Sequence, residues 1–182
     1  MPRPVDRPVL AGGPPVFALG RYRGAGRRGV VAYKVSGRRD LARPFGHAVA
    51  SALLGAGTRR AWCFVPAPSR PLVARRRGGS HMARVARAAA TALPGSVVSD
   101  CLLTRRAVQD SVGLDAQDRL RNLSGRVGVR PHRLPGPELP VVLVDDVVTT
   151  GATIACSVEA LRSAGREVSL AVVLTCTSGV RG

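Results

Sequence analysis

A chain of 182 residues with 45% hydrophobic composition is long enough to bury one proper core, so a single domain with at most an appendage is expected. Lys and Arg outnumber Asp and Glu by 28 to 11, a net charge of +17, which favours anionic partners over cationic ones. No stretch reaches the roughly 18 consecutive apolar residues of a membrane span, and no apolar signal-peptide core follows Met1-Pro2-Arg3-Pro4, so a soluble, cytoplasmic protein is expected.

The charge has to be read with care, because Lys34 is the only lysine and Ile154 the only isoleucine in a chain rich in Ala, Gly, Pro and Val. That pattern points to biased coding as much as to selection for a polyanion. Cys63, Cys101, Cys156 and Cys176 stand singly, with no CxxC pair. They read as reduced, small core residues rather than as a zinc knuckle or a disulfide framework.

Residues 1–29 carry Pro2, Pro4, Pro8, Pro14 and Pro15 among glycines and arginines, a composition expected to form an irregular extension or part of a hood, with a domain over 30–182. Within it, Gly24-Ala25-Gly26-Arg27-Arg28-Gly29 matches GxGxxG. That fingerprint needs a strand before it and a helix after it, whereas Val30 to Val35 reads as short and β-branched.

From Asp40 the spacing of Leu41, Phe45, Val49 and Leu53 predicts a helix ending near Gly55 or Gly57. Ala61 to Val65 predicts a buried strand closed by Pro66 and Pro68, residues 81–93 a helix stopped by Pro94-Gly95, and Val97 to Leu103 another strand. A polar helix around Leu114 to Leu123, a weak strand at Val127 to Val129 and a Pro-rich turn to Pro140 follow. Val141 to Val144 is read as a strand, residues 153–164 as a helix with Gly165 as its C-cap, and Val168 to Leu174 as the final strand.

Apolar strands alternating with helices predict an α/β fold, a doubly wound, mostly parallel sheet covered on both faces. Ligands of such sheets bind at the carboxyl ends of the strands, which places Asp145 and the loop after Pro66 on one rim. His47 and His132 read as structural or surface residues, and His81 as a surface histidine at a helix start.

The stretch VVLVDDVVTTGATI, residues 141–154, sets two aspartates at the end of an apolar run. Neighbouring strand residues point to opposite faces, so Asp145 and Asp146 share a ligand only if the strand ends and the chain turns there. Buried carboxylates need donors, and a sugar diol with Mg²⁺ nearby would satisfy them. Thr149, Thr150, Gly151, Ala152 and Thr153 then offer amides and hydroxyls at a helix N-terminus, a cradle for phosphate. It is no Walker loop, which requires a lysine.

Val142 to Thr153 resembles the phosphoribosyl pyrophosphate (PRPP) loop of the type I phosphoribosyltransferases. Val65-Pro66-Ala67-Pro68 with Arg70 and Arg77-Gly78 resembles the VPVP…RxRGFNQ segment of the ComF-like, competence-associated branch. Leu103 to Arg106 with Gln109, Arg119 and Asn122 resembles its LxR…Q…R…N segment, and Tyr33-Lys34 with Gly37 its LKYxG element. The likeness covers about residues 30–176. It departs where Gly79-Ser80-His81 replaces Phe-Asn-Gln, and where an N-terminal cysteine knuckle is missing.

This resemblance implies a type I phosphoribosyltransferase fold and a Mg²⁺-dependent transferase of nucleotide metabolism. Asp145 and Asp146 would be the catalytic pair on the ribose hydroxyls, with Mg²⁺ held mainly by PRPP and through water by the pair. Thr149 to Thr153 would take the 5′-phosphate, Pro66, Ala67 and Arg70 the pyrophosphate, and Arg75, Arg76 and Arg77 a mobile loop. Phosphoribosyl would pass to an unidentified nitrogen acceptor, a base or amine. Two further readings stand beside it: a non-catalytic DNA-uptake module binding single-stranded DNA, and a PRPP-sensing regulator. A homodimer is compatible with each.

Overall fold

The computed structural model describes residues 2–55, 57, 60–69, 80–104 and 127–177. Their main sheet has six strands in the order β1-β2-β8-β7-β3-β4. These are β1 (Arg3–Pro4), β2 (Val16–Arg21), β3 (Cys63–Pro66), β4 (Val97–Val98), β7 (Val141–Val148) and β8 (Val168–Cys176). All neighbours pair in parallel except β1, which runs antiparallel to β2. A separate antiparallel pair joins β5 (Leu102–Thr104) to β6 (Val127–Val129). The single strand expected from Val97 to Leu103 is therefore divided between two sheets. The helix expected around Leu114 to Leu123 lies outside the described residues.

Four helices flank the sheet: α1 (Gly24–Lys34), α2 (Ala42–Gly55), α3 (His81–Ala92) and α4 (Ala152–Ser163). One face is sealed by Val30 of α1, Val49 and Leu53 of α2 and Val85 of α3, packed with Trp62, Phe64, Val142 and Val144. The other is sealed by Ile154, Val158 and Leu161 of α4 against Val65, Leu143, Ala171 and Val173. The doubly wound, mostly parallel architecture expected of these apolar strands is present. All four cysteines are buried, and none forms a disulfide. No helix among the described residues is long and apolar enough to cross a membrane.

The N-terminal expectation is corrected. Residues 16–21 form β2 inside the sheet, pairing with β8 from Val16↔Ala171 to Arg21↔Cys176, and the boundary drawn at residue 29 falls within α1. Val30 to Lys34 is helical, and the GxGxxG stretch, which follows β2, itself forms the opening turns of α1. One of its glycines has a packing reason, since a Cβ on Gly26 would clash with the Arg21 carbonyl oxygen, and Gly24 takes a positive φ of +51°. Tertiary packing of Val30 and Tyr33 carries this helix past its poor intrinsic propensity.

A second close approach joins α2 to α3. A Cβ on Gly46 would lie 2.8 Å from Ala89 N and Val85 O, and nearer still to Ala88 Cβ. Alanine gains about 1 kcal/mol of helix propensity over glycine, but overpacking against fixed backbone costs about 1–3 kcal/mol. Gly46→Ala is therefore expected to be destabilising, seen as a fall in the urea midpoint at unchanged slope. A midpoint at or above that of the parent would refute the packing account.

Candidate active site

The chain enters the sheet centre at β3 and continues outward through α3 to β4, whereas β7 continues through α4 to β8 in the opposite direction. The point between β3 and β7 is thus where the winding reverses. The loops after their carboxyl ends diverge there and leave a crevice. A cleft of about 430 Å³ opens at that place, lined by Ala67, Pro68 and Ser69 after β3 and by Asp145, Asp146, Thr149 and Thr153 from β7 to α4. Pro66 pairs with Val144, and Ala67 N donates to Val144 O over 2.8 Å, which fixes the two rims together.

The strand does not end at the aspartates, as the sequence reading required, but runs to Val148. Its alternation slips instead. Val142, Val144 and Val147 pack on the α3 face, whereas Val141, Leu143 and Val148 pack on the α4 face. Across Asp145-Asp146 the faces therefore fall out of strict period two. The Asp146 N–H turns to Asp145 Oδ1, 2.8 Å away. This local break lets two consecutive carboxyls line one cleft.

Asp146 is buried at 6% exposure, and its Oδ2 accepts from His81 Nε2 at 2.7 Å and pairs with Lys34 Nζ at 2.7 Å. Burial pulls its carboxyl up, but the His81 bond and the Lys34 charge outweigh it and hold it down to about 2. Among the described residues Asp145 has no such pair of cationic and imidazole partners. Burial first, and then the Asp146 charge, push it up to about 7.

His81 is the first residue of α3, whose N-cap Ser80 accepts from Ala83 N through Oγ. The expectation that His81 lies on the surface is overturned: it is buried at 7% exposure, where its imidazole reaches across to β7. Tyr33 O–H donates to the His81 carbonyl, and the two rings stand edge to face with centroids 5.8 Å apart. Burial raises the Tyr33 hydroxyl to about 12. His47 and His132 are exposed.

Sequence reasoning missed the convergence of Lys34 and His81 on Asp146. The signals available were the Tyr33-Lys34 dipeptide at the end of α1 and a histidine directly after a serine N-cap.

The turn after β7 has its own geometry. Gly151 takes φ +92°, and a Cβ there would lie 2.9 Å from Val9 Cγ1 and Leu10 Cγ. With no cap side chain at Gly151, the opening turn of α4 keeps its amides for an outside acceptor, apart from Ala152 N, which meets Thr150 Oγ1 at 3.3 Å. Thr149, Thr150 and Thr153 are exposed. Arg70, Arg75, Arg76 and Arg77 lie outside the described residues, as do Arg105, Arg106, Gln109, Arg119 and Asn122.

No group of three or more His, Cys, Asp or Glu suited to a metal occurs among the described residues. Two hard carboxylates beside an open cleft fit a cation that keeps its waters and takes further oxygens from a phosphorylated ligand, as Mg²⁺ does.

No family model matches this chain, and no curated protein matches it in sequence. Among solved structures it is similar to a hypoxanthine phosphoribosyl transferase of Trypanosoma cruzi, with a TM-score of 0.43, 19% identity, and coverage of 81% of this chain and 69% of that one. A glutamic acid mutant from work on an invariant aspartic acid of HPRTs shows the same score and identity, over 81% of this chain and 72% of the other.

Proposed function

We propose that the chain binds PRPP with Mg²⁺ and transfers its phosphoribosyl group to a nitrogen acceptor, releasing pyrophosphate. The observation that carries this reading is the single cleft shared by two buried carboxyls and an uncapped helix-opening turn. Sugar hydroxyls and a phosphate are the ligand groups that such a pair of subsites suits. Among the described residues, Asp145 Oδ1 is taken by the Asp146 amide and Asp146 Oδ2 by His81 and Lys34, which leaves one oxygen on each carboxyl. Those two oxygens match a vicinal diol.

In this reading Asp145 and Asp146 hold the ribose, Thr149 to Thr153 hold the 5′-phosphate, and Pro66, Ala67 and Arg70 face the pyrophosphate under a loop carrying Arg75, Arg76 and Arg77. When bound, Mg²⁺ supplies neutralisation of the departing pyrophosphate charge. The chain's own contribution is alignment of the sugar and fixed dipoles at the phosphates, with no covalent nucleophile. Incubation with PRPP, Mg²⁺ and a panel of bases and amines is expected to release pyrophosphate with at least one acceptor. PRPP binding without release would support a PRPP sensor instead, and absence of PRPP binding would sink both.

A second reading rests on a different surface. Arg21, Arg23, Arg27 and Arg28 are exposed around the opening of α1, whose first turn has no acid. A competence-associated module binding single-stranded DNA through them would show affinity falling steeply with salt and unaffected by Asp146→Ala.

A further inference from the structure

Resting on the PRPP reading of the cleft, we propose that Lys34 and His81 are positioning residues that clamp Asp146 Oδ2 and so aim the other carboxylate oxygen at the sugar. The geometry that points there is convergence from two helices on one atom. His81 Nε2 and Lys34 Nζ each stand 2.7 Å from Asp146 Oδ2. A carboxylate only accepts hydrogen bonds, so the imidazole nitrogen facing it carries the proton.

The two arms differ in stiffness. The His81 side chain is 9% exposed and belongs to the first turn of a capped, twelve-residue helix packed on β3 and β7. The Lys34 side chain is 40% exposed and leaves the last turn of α1. Tyr33, its neighbour, donates to the His81 backbone carbonyl, so consecutive residues of α1 grip the start of α3 and the carboxylate of β7 together.

The clamp has a chemical purpose. An aspartate at a slipped strand position, with only its backbone fixed, would rotate about χ1 and χ2 and lose entropy on binding a hydroxyl. Two donors on one oxygen remove that freedom before the ligand arrives, and preorganisation of this kind raises affinity without any new contact to the ligand.

The test uses the full chain with two probes, ribose 5-phosphate and inorganic phosphate, both measured by titration calorimetry. The parent is expected to prefer ribose 5-phosphate. His81→Phe and Lys34→Met should each weaken ribose 5-phosphate by about tenfold, the scale of one hydrogen bond to a charged group, with inorganic phosphate unchanged. His81→Gln, whose side-chain amide restores a donor near the Nε2 position, should recover the parent value. A purely structural role would weaken both probes together.

If His81→Phe does not fold, the half-exposed Lys34→Met carries the same comparison. Retention of the full preference in the folded variants would overturn the clamp and leave the PRPP reading standing. A parent that binds ribose 5-phosphate no better than phosphate would overturn both.

Discussion

Asp146→Ala should lower affinity for PRPP in the presence of Mg²⁺ by about 100-fold, because it removes a charge-assisted acceptor worth about 1.5–3 kcal/mol and releases the two donors that share it. The same substitution leaves Lys34 and His81 facing each other without the carboxylate both contact. Losing the buried bond to His81 costs about 1–3 kcal/mol, with little added by the half-exposed Lys34, so the alanine variant should also melt earlier. Asp146→Asn separates the two effects: it keeps the side-chain shape, and with it most of the stability, but not the charge. Calorimetric titration with PRPP, paired with thermal unfolding, reads both quantities. Unchanged PRPP affinity in Asp146→Ala would falsify the ribose-binding role.

Asp145 should give the opposite behaviour in stability. Its carboxyl is lifted from 3.8 to about 7 in the folded chain, by burial and then by the Asp146 charge. A group with a raised folded pKa contributes stability that is full below about pH 4 and is lost as pH rises through about 7. Asp146, lowered to about 2, contributes stability that is present above about pH 4 and is lost only as pH falls toward 2. The melting temperature should therefore decline between pH 5 and pH 8. Asp145→Asn should remove that decline and make the variant more stable than the parent at pH 8, by on the order of 2–4 kcal/mol. It should bind PRPP poorly at the same pH. A melting temperature that rises from pH 5 to pH 8 in the parent, or an asparagine variant less stable there, would refute the assignment. On the PRPP reading, the pair trades stability for acceptor oxygens that a ligand's hydroxyls would satisfy.

Much of the fold beyond residue 40 was legible because its apolar runs are long and its stops are strong. Pro94-Gly95 ends α3, and Gly165 at φ +76° ends α4, where the sequence reading put them. The first thirty residues were not legible for two physical reasons. β2 is short, between Pro14-Pro15 and a run of glycines, and its Val16 and Ala18 are buried by partners far away in sequence. α1 opens with glycines that lower its propensity, of which Gly26 permits a close approach to the Arg21 carbonyl visible only in three dimensions. At the site, VVLVDDVVTTGATI pointed to the acids and the turn. The residues gripping Asp146 come from positions 34 and 81, and no local pattern joins them. His81 stands where the resembled Phe-Asn-Gln segment has glutamine, and an imidazole and an amide can each offer one N–H to a carboxylate.

β2 enters the parallel part of the sheet only through β8, with Val16 opposite Ala171. β2 must wait for a strand made more than 150 residues later, so this pairing has a high contact order and closes late. α1 follows β2 and carries Lys34, which means that the contact with Asp146 is assembled with β8 rather than with the cleft's own loops. Lys34 is made long before the aspartates, yet it meets Asp146 only once β8 has docked β2 and α1.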